Sequence, residues 1–203
     1  MAIVVPIAGK TAETLWYPAA SLVMLTGLPG AGKSTLLRRL YGLDGAEVAP
    51  VVAGTVVVID SAQSRAHWAG RLRWAPARAR TGVVFVTHLW RIRGALRGGR
   101  PVVAHNRGCG PIVLRVMACL ARRNGAGLHL LMLDAHPEAA LVGQYARGRV
   151  VAPATFQRHS RRWTSLVAEV RAGRTAPAAS AHLLERATAD RLDGICFGEA
   201  PAA

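Results

Sequence analysis

Ser21–Tyr41, SLVMLTGLPGAGKSTLLRRLY, is the stretch that decides the fold. Leu22 to Thr26 form a short apolar run of strand character. The next eight residues, Gly27-Leu28-Pro29-Gly30-Ala31-Gly32-Lys33-Ser34, match the phosphate-loop pattern G-x-x-x-x-G-K-[ST] at every fixed position. Leu36, Leu37 and Leu40 follow at helical spacing, with Arg38 and Arg39 between them. Strand, glycine loop and helix in that order give the pattern its mechanism.

Glycine accepts dihedrals closed to other residues, so such a loop can wrap its backbone closely around a polyphosphate. Its amides, and the positive end of the helix that follows, point at the anion. Lys33 is expected to bridge the β- and γ-phosphate oxygens, and the Ser34 hydroxyl to sit on Mg²⁺. Residues 27–35, ending at Thr35, are therefore the expected binding segment for a nucleoside triphosphate.

The length of 203 residues suits one α/β domain, which we divide into a lead-in over 1–20 and a single domain over 21–203. Cys109, Cys119 and Cys196 are odd in number and far apart. They suggest neither a disulfide framework nor a zinc site, and are in keeping with a reducing, cytoplasmic setting. Lys10 and Glu13 interrupt the first twenty residues, so neither a signal peptide nor a membrane span is expected there, nor a membrane partner anywhere.

The net charge is +15, and of the 26 basic residues only Lys10 and Lys33 are lysines. Between Asp60 and Asp134 there is no acidic residue, while thirteen arginines occur from Arg65 to Arg123. A long one-signed stretch favours an anionic partner, with nucleic acid, a phosphorylated metabolite and ATP itself as the classes considered. A solvated basic face is the plainer alternative. Trp68, Trp74, Trp90 and Trp163 fall on expected helices and read as packing residues rather than base-stacking platforms.

Beyond the loop the chain alternates strand and helix, as a parallel sheet requires. Strands are expected at Leu22–Thr26, Thr55–Ile59, Pro101–His105, Leu128–Leu133 and His182–Arg186, with Ile3–Ile7 as a short edge strand or a lead-in. Helices are expected over Ser61–Trp74, Thr81–Leu96, Pro111–Asn124, Pro137–Tyr145 and Thr155–Ala172. The fold class is thus α/β: a P-loop NTPase fold with a five-stranded parallel sheet, helices on both faces and a small arginine-bearing lid over about 144–158.

A GTPase would need an N-K-x-D element, which this lysine-poor chain lacks, and the strand at 102–105 carries no adjacent acidic pair of the motor-ATPase kind. GLPGAGKST, then VVVIDSAQSR, GRPVVAHNR, LHLLMLDAHPEAALVGQYARGR and APATFQRH, together resemble the polynucleotide-kinase-like and zeta-toxin-like P-loop kinases, nucleotide-binding proteins of the wider AAA group. The resemblance runs from about Leu22 to His159.

That resemblance implies an Asp after the second strand with an Arg three residues later, to activate and orient an acceptor hydroxyl. Arg65 fits the Arg, but Ala62 stands where the Asp would be. The available carboxylate is Asp60, a candidate for base or Mg²⁺ ligand and equally for the N-cap of the next helix. Where such kinases place a polar group after the third strand, this chain has His105-Asn106-Arg107. His105 and Arg107, with Arg65, are the expected contacts to an anionic or hydroxyl-bearing acceptor. Asp134 reads as a turn residue rather than a ligand. Within Gln144-Tyr145-Ala146-Arg147-Gly148-Arg149 the lid arginines Arg147 and Arg149 are expected to close over the transferring phosphate, with Arg158, Arg161 and Arg162 as a second rank.

The implied activity is transfer of the γ-phosphoryl of ATP to a hydroxyl, with Lys33, Asp60, Arg147 and Arg149 as catalytic residues and Ser34 and Asp60 on the metal. Two alternatives stand beside it. One is a regulatory nucleotide-binding protein or pseudokinase; the other is a nucleic-acid-binding ATPase.

Overall fold

Leu22–Leu25 are wholly buried one after another, and so are Val56–Asp60. A strand buried on alternate residues faces solvent on one side; one buried continuously is covered on both, which is the condition of a parallel sheet between helix layers. The computed structural model describes residues 4–6, 13–105, 110–145 and 151–200. In chain order the elements are β1 (Val4–Pro6), β2 (Glu13–Tyr17), β3 (Ser21–Gly27), α1 (Lys33–Tyr41), β4 (Val51–Ala53), β5 (Val56–Asp60), α2 (Ser61–Trp68), α3 (Ala77–Arg97), β6 (Val102–His105), α4 (Pro111–Arg123), β7 (Gly127–Asp134), α5 (Pro137–Tyr145), α6 (Pro153–Arg171), β8 (Ser180–Glu185), α7 (Arg186–Arg191) and β9 (Leu192–Phe197).

Seven strands form the main sheet in the order β1-β8-β7-β3-β6-β5-β4. All neighbours are parallel except β4, which pairs antiparallel with β5. The five strands expected from sequence are the five central ones. The two further strands lie at the edges: β1 falls within Ile3–Ile7, for which a short edge strand is one of the two readings, and β4 is an addition. Val51–Ala53 folds back on β5 through Gly54 at φ 60°, and Val4–Pro6 pairs with β8. The stretch before Ser21, expected as a lead-in, also supplies β2, which pairs parallel with β9 in a separate two-stranded sheet. Tyr17 of β2 is buried, and its hydroxyl lies 2.9 Å from His182 Nδ1 of β8, tying the small sheet to the large one.

The strand order places β3, which carries the glycine loop, at the centre. From β3 the chain passes over β6 to β5, returns to β6, then continues on the other side with β7 and β8. Such a reversal opens a crevice at the carboxyl ends of the strands. The register sets what meets there. Leu25 of β3 is level with His105 of β6, and His105 is level with Asp60 of β5. The start of the glycine loop, His105 and Asp60 therefore share one sheet edge.

Two helix boundaries differ from the sequence reading. The α2 helix stops at Trp68 rather than Trp74, and α3 begins four residues earlier than expected and runs for 21 residues. Trp68 Nε1 donates to Thr87 Oγ1 at 2.8 Å, which pins α2 against α3. The buried stripe of α3 is His88, Ile92 and Leu96. No helix among the described residues is long and apolar enough to cross a membrane.

Candidate active site

The glycine loop is built as its sequence requires. Gly30 and Gly32 both sit at φ 95°, a region that L side chains rarely adopt. A Cβ on Gly30 would also lie 1.9 Å from the Ala140 carbonyl oxygen, so α5 packs directly against the loop backbone. Gly32 is the N-cap of α1 and offers no side chain to its first amides. A helix start left without a side-chain cap and opening on a cleft is the arrangement that receives an anion.

Lys33 is only 6% exposed, and its Nζ donates to the carbonyls of Gly27 at 2.8 Å and Leu28 at 2.7 Å. The ammonium thus staples the two ends of its own loop while lining the cleft. Ser34, the next residue, donates from Oγ to Asp60 Oδ2 at 3.2 Å. Asp60 is at once the N-cap of α2: its Oδ1 accepts from the Ala62 amide at 2.7 Å, and Gln63 Oε1 accepts from the Asp60 amide at 3.1 Å. The two oxygens divide the two readings between them. A reciprocal cap of this kind contributes about 1 kcal/mol, which holds the carboxylate in place for the Ser34 side.

His105 completes the cluster, with Nδ1 3.2 Å from Asp60 Oδ1. Burial would raise the Asp60 carboxyl, but the adjacent imidazole, the Ala62 amide and the Ser34 hydroxyl outweigh it and hold the group well below the usual carboxylate range. Burial lowers the His105 pKa, and Lys33 and Arg65 lower it further against the pull of Asp60. The carboxylate is therefore ionised beside the His105 ring. Ser34 and Asp60 are two hard oxygen donors side by side on one cleft wall, a set that fits a magnesium ion carrying phosphate.

The cleft has a volume of about 740 Å³ and contains Lys33, Ser34, Thr35, Asp60, Arg65 and His105. Arg65 lies one turn into α2, where its Nη1 donates to Ser61 Oγ at 3.3 Å. His105 lines the cleft with its ring set against Asp60. Asp134 pairs with Arg171 at 3.0 Å and does not line the cleft. Arg107, Arg147 and Arg149 lie outside the described residues. Of the second rank, Arg158, Arg161 and Arg162 are not among the cleft residues; α6 presents Thr155 and His159 instead, four residues apart on one face.

Two participants have no role of their own in the sequence reading, although Gln144 opens the stretch expected as the lid. Gln144, at the end of α5, donates from Nε2 to the Pro29 carbonyl at 3.0 Å and accepts from the Val151 amide at 2.9 Å. One buried amide thereby joins the glycine loop to the approach of α6. Arg186 opens α7, and its Nη1 would be 3.6 Å from a Cβ on Gly32. Both arrive from elements more than a hundred residues away, so only their place in the assembled fold exposes them.

Comparison with known proteins agrees with this geometry. The AAA domain family matches residues 22–172. No curated protein matches at the sequence level. Similar solved structures include a protein of Chloroflexus aurantiacus assigned as a kinase, with TM-score 0.57 and 16% identity over 87% of this chain and 90% of that one. Another belongs to the PezAT chromosomal toxin–antitoxin system of Streptococcus pneumoniae, with TM-score 0.54 and 16% identity over 90% and 78%. A third is the Deinococcus radiodurans tunicamycin resistance protein, with TM-score 0.52 and 13% identity over 84% and 92%. Identities this low speak to the fold, and the fold agrees with the loop, the strand order and the matched span. The chain belongs to the AAA domain family, as a P-loop, kinase-like nucleotide-binding domain.

Proposed function

We propose that the protein transfers the γ-phosphoryl group of ATP to a hydroxyl of an anionic or hydroxyl-bearing acceptor, with Mg²⁺ on Ser34 and Asp60. The observation that carries this reading is the 3.2 Å approach of Ser34 Oγ to Asp60 Oδ2 inside a cleft that also holds Lys33 and Arg65. Phosphoryl transfer asks the protein mainly for positioning and charge neutralisation, and these residues are suited to both. The metal, when bound, supplies charge neutralisation on the phosphate oxygens.

Lys33 and the amides at the start of α1 bind the phosphates. Asp60, ionised and fixed by its cap, is better suited to holding a cation than to taking a proton, since a carboxylate held this acidic is a weak base. Arg65, one turn into α2, orients the acceptor. Arg147 and Arg149, between α5 and α6, close over the reacting phosphate and exclude water. Gln144 keeps the loop and the approach of α6 in register. A cytoplasmic setting accords with the free thiols Cys119 and Cys196.

The test is ADP release from Mg-ATP across a panel of acceptors (nucleosides, oligonucleotides, sugars and amino alcohols), with binding of Mg-ATP measured in parallel. Acceptor-dependent ADP release, lost on chelation of magnesium, is the expected result. Tight Mg-ATP binding without transfer to any acceptor would replace the enzyme by a regulatory nucleotide-binding protein. Failure to bind Mg-ATP at all would overturn the nucleotide reading.

A further inference from the structure

The acid-free stretch from Arg65 to Arg123 is only partly used by the cleft, and its remainder has a definite place in the fold. Along α3 the buried residues are His88, Ile92 and Leu96. On the opposite side Val83, Val86, Trp90, Arg93 and Arg97 follow one another at three- and four-residue steps, with Gly94 between the last two, and all are exposed. Trp90, expected from sequence to pack, is 71% exposed. Trp163 of α6, by contrast, is 4% exposed.

The basic end of this stripe opens into a second cavity of about 490 Å³, lined by Arg93, Arg97, Leu120, Arg123 and Asn124. None of its three arginines makes an ion pair among the described residues. Arginines at the last turn of a helix can simply complement its dipole, which accounts for Arg97 and Arg123 singly. It does not account for Arg93, for their convergence on one cavity, or for the tryptophan one turn away. Trp90 and Arg97 are seven residues apart, a rise of about 10 Å along the helix. An apolar plate followed by converging guanidinium groups matches a base followed by phosphates.

Gly94 supplies an independent sign. Glycine is unfavourable inside a helix, and a Cβ at Gly94, as at Gly82 of the same helix, would meet nothing within 4 Å beyond the helix's own nearby backbone. Packing against the described residues does not call for a glycine there. Midway between Trp90 and Arg97, it leaves the helix backbone open to close approach by something else.

We propose that the outer face of α3, from Trp90 through Gly94 to the cavity of Arg93, Arg97 and Arg123, binds single-stranded nucleic acid. A base stacks on Trp90 and adjoining phosphates enter the arginine cavity. The cavity lies where α3 and α4 lead into the amino ends of β6 and β7, at the sheet edge opposite the glycine loop. The site is thus separate from the phosphate cleft and does not depend on the phosphotransferase reading. An acidic protein would satisfy the arginines but gains nothing particular from a bare indole face and an open glycine, so the strand is favoured.

The experiment titrates full-length protein into fluorescein-labelled oligothymidylate by anisotropy across a salt series, with the matching duplex and polyglutamate as competitors. The expected slope of log affinity against log salt falls by about 1.4 in the Arg93→Ala/Arg97→Ala double variant, two phosphate contacts at about 0.7 each. Trp90→Ala weakens binding at least about fivefold, the low end of a lost base stack. Gly94→Ala raises the melting temperature while weakening binding. Unchanged Mg-ATP titrations certify that each variant is folded. No binding at low salt, or binding unaffected in Trp90→Ala and in the arginine pair, overturns the proposal. Equal competition by duplex removes the stacking step and overturns it too, and stronger competition by polyglutamate reassigns the face to an acidic protein.

Discussion

The two ends of the sheet use charge in opposite ways. At the carboxyl edge, Lys33, Ser34, Asp60 and His105 are buried or nearly so, and each is bonded to or set against a neighbour within about 3 Å. Across the outer face of α3, Arg93, Arg97 and Trp90 are exposed, and no acidic group pairs with these arginines among the described residues. Buried charge is tolerated only with partners, because desolvation costs several kcal/mol per ion. Exposed charge needs none, and holding it in place contributes little. The cleft is therefore a place where a single change disturbs fold and chemistry together, while the α3 face can change without the core noticing.

The largest break in that contrast is expected from Lys33→Ala. It removes the proposed phosphate ligand and both carbonyl staples, so turnover should fall about 10²–10³-fold, as for loss of one preorganised transition-state donor. Nucleotide titration and steady-state ADP release measure it, with a thermal melt alongside to separate loop loosening from lost chemistry. Wild-type affinity and turnover would show that the loop does not bind phosphate.

Next comes His88, whose ring is 1% exposed on the buried stripe of α3 and has no hydrogen-bond partner among the described residues. Burial holds its pKa down, with nearby His105, Arg91 and Arg65 contributing to the same side and Asp60 opposing, to about 4 from an ordinary 6.5. The folded state thus binds fewer protons than the unfolded one between these values. Stability is whole above pH 6.5 and falls as the pH drops towards 4, by ~3 kcal/mol at most. His88→Leu should flatten the dependence of melting temperature on pH across that window and raise it at neutral pH. An unaltered slope would mean that the ring titrates normally in the fold.

Asp60→Asn sharpens the comparison at the cleft. Asparagine can still accept from the Ala62 amide, so helix α2 keeps its cap while the proposed cation site loses its charged ligand. Turnover should drop at least tenfold, about 1.4 kcal/mol of barrier, and stability should move by less. A fully active Asp60→Asn enzyme would reduce the carboxylate to a cap. The smallest effect belongs to the other end. Trp90→Ala should leave melting temperature and ATP turnover near wild type, within about 0.5 kcal/mol. A large loss of stability there would mean that the indole packs after all.

The sequence by itself determined the phosphate loop, the five central strands and the acid-free run of arginines. Those are local facts: a loop pattern needs particular residues at fixed spacing, and a doubly covered strand needs an unbroken apolar run. It also put Asp60 at a strand end, with its two candidate roles undivided. Tertiary structure alone decided that one carboxylate oxygen caps α2 while the other meets Ser34, because that depends on β5 lying two strands from β3 with Asp60, His105 and Leu25 in register. The edge strand β4 and the small β2–β9 sheet were likewise decided by pairing, since so short a segment at the rim becomes a strand only with a partner in place. The tryptophans show the limit most clearly. Trp90 and Trp163 both sit within helices of mixed polarity, and which one entered the core was settled by the face each helix turned to the sheet.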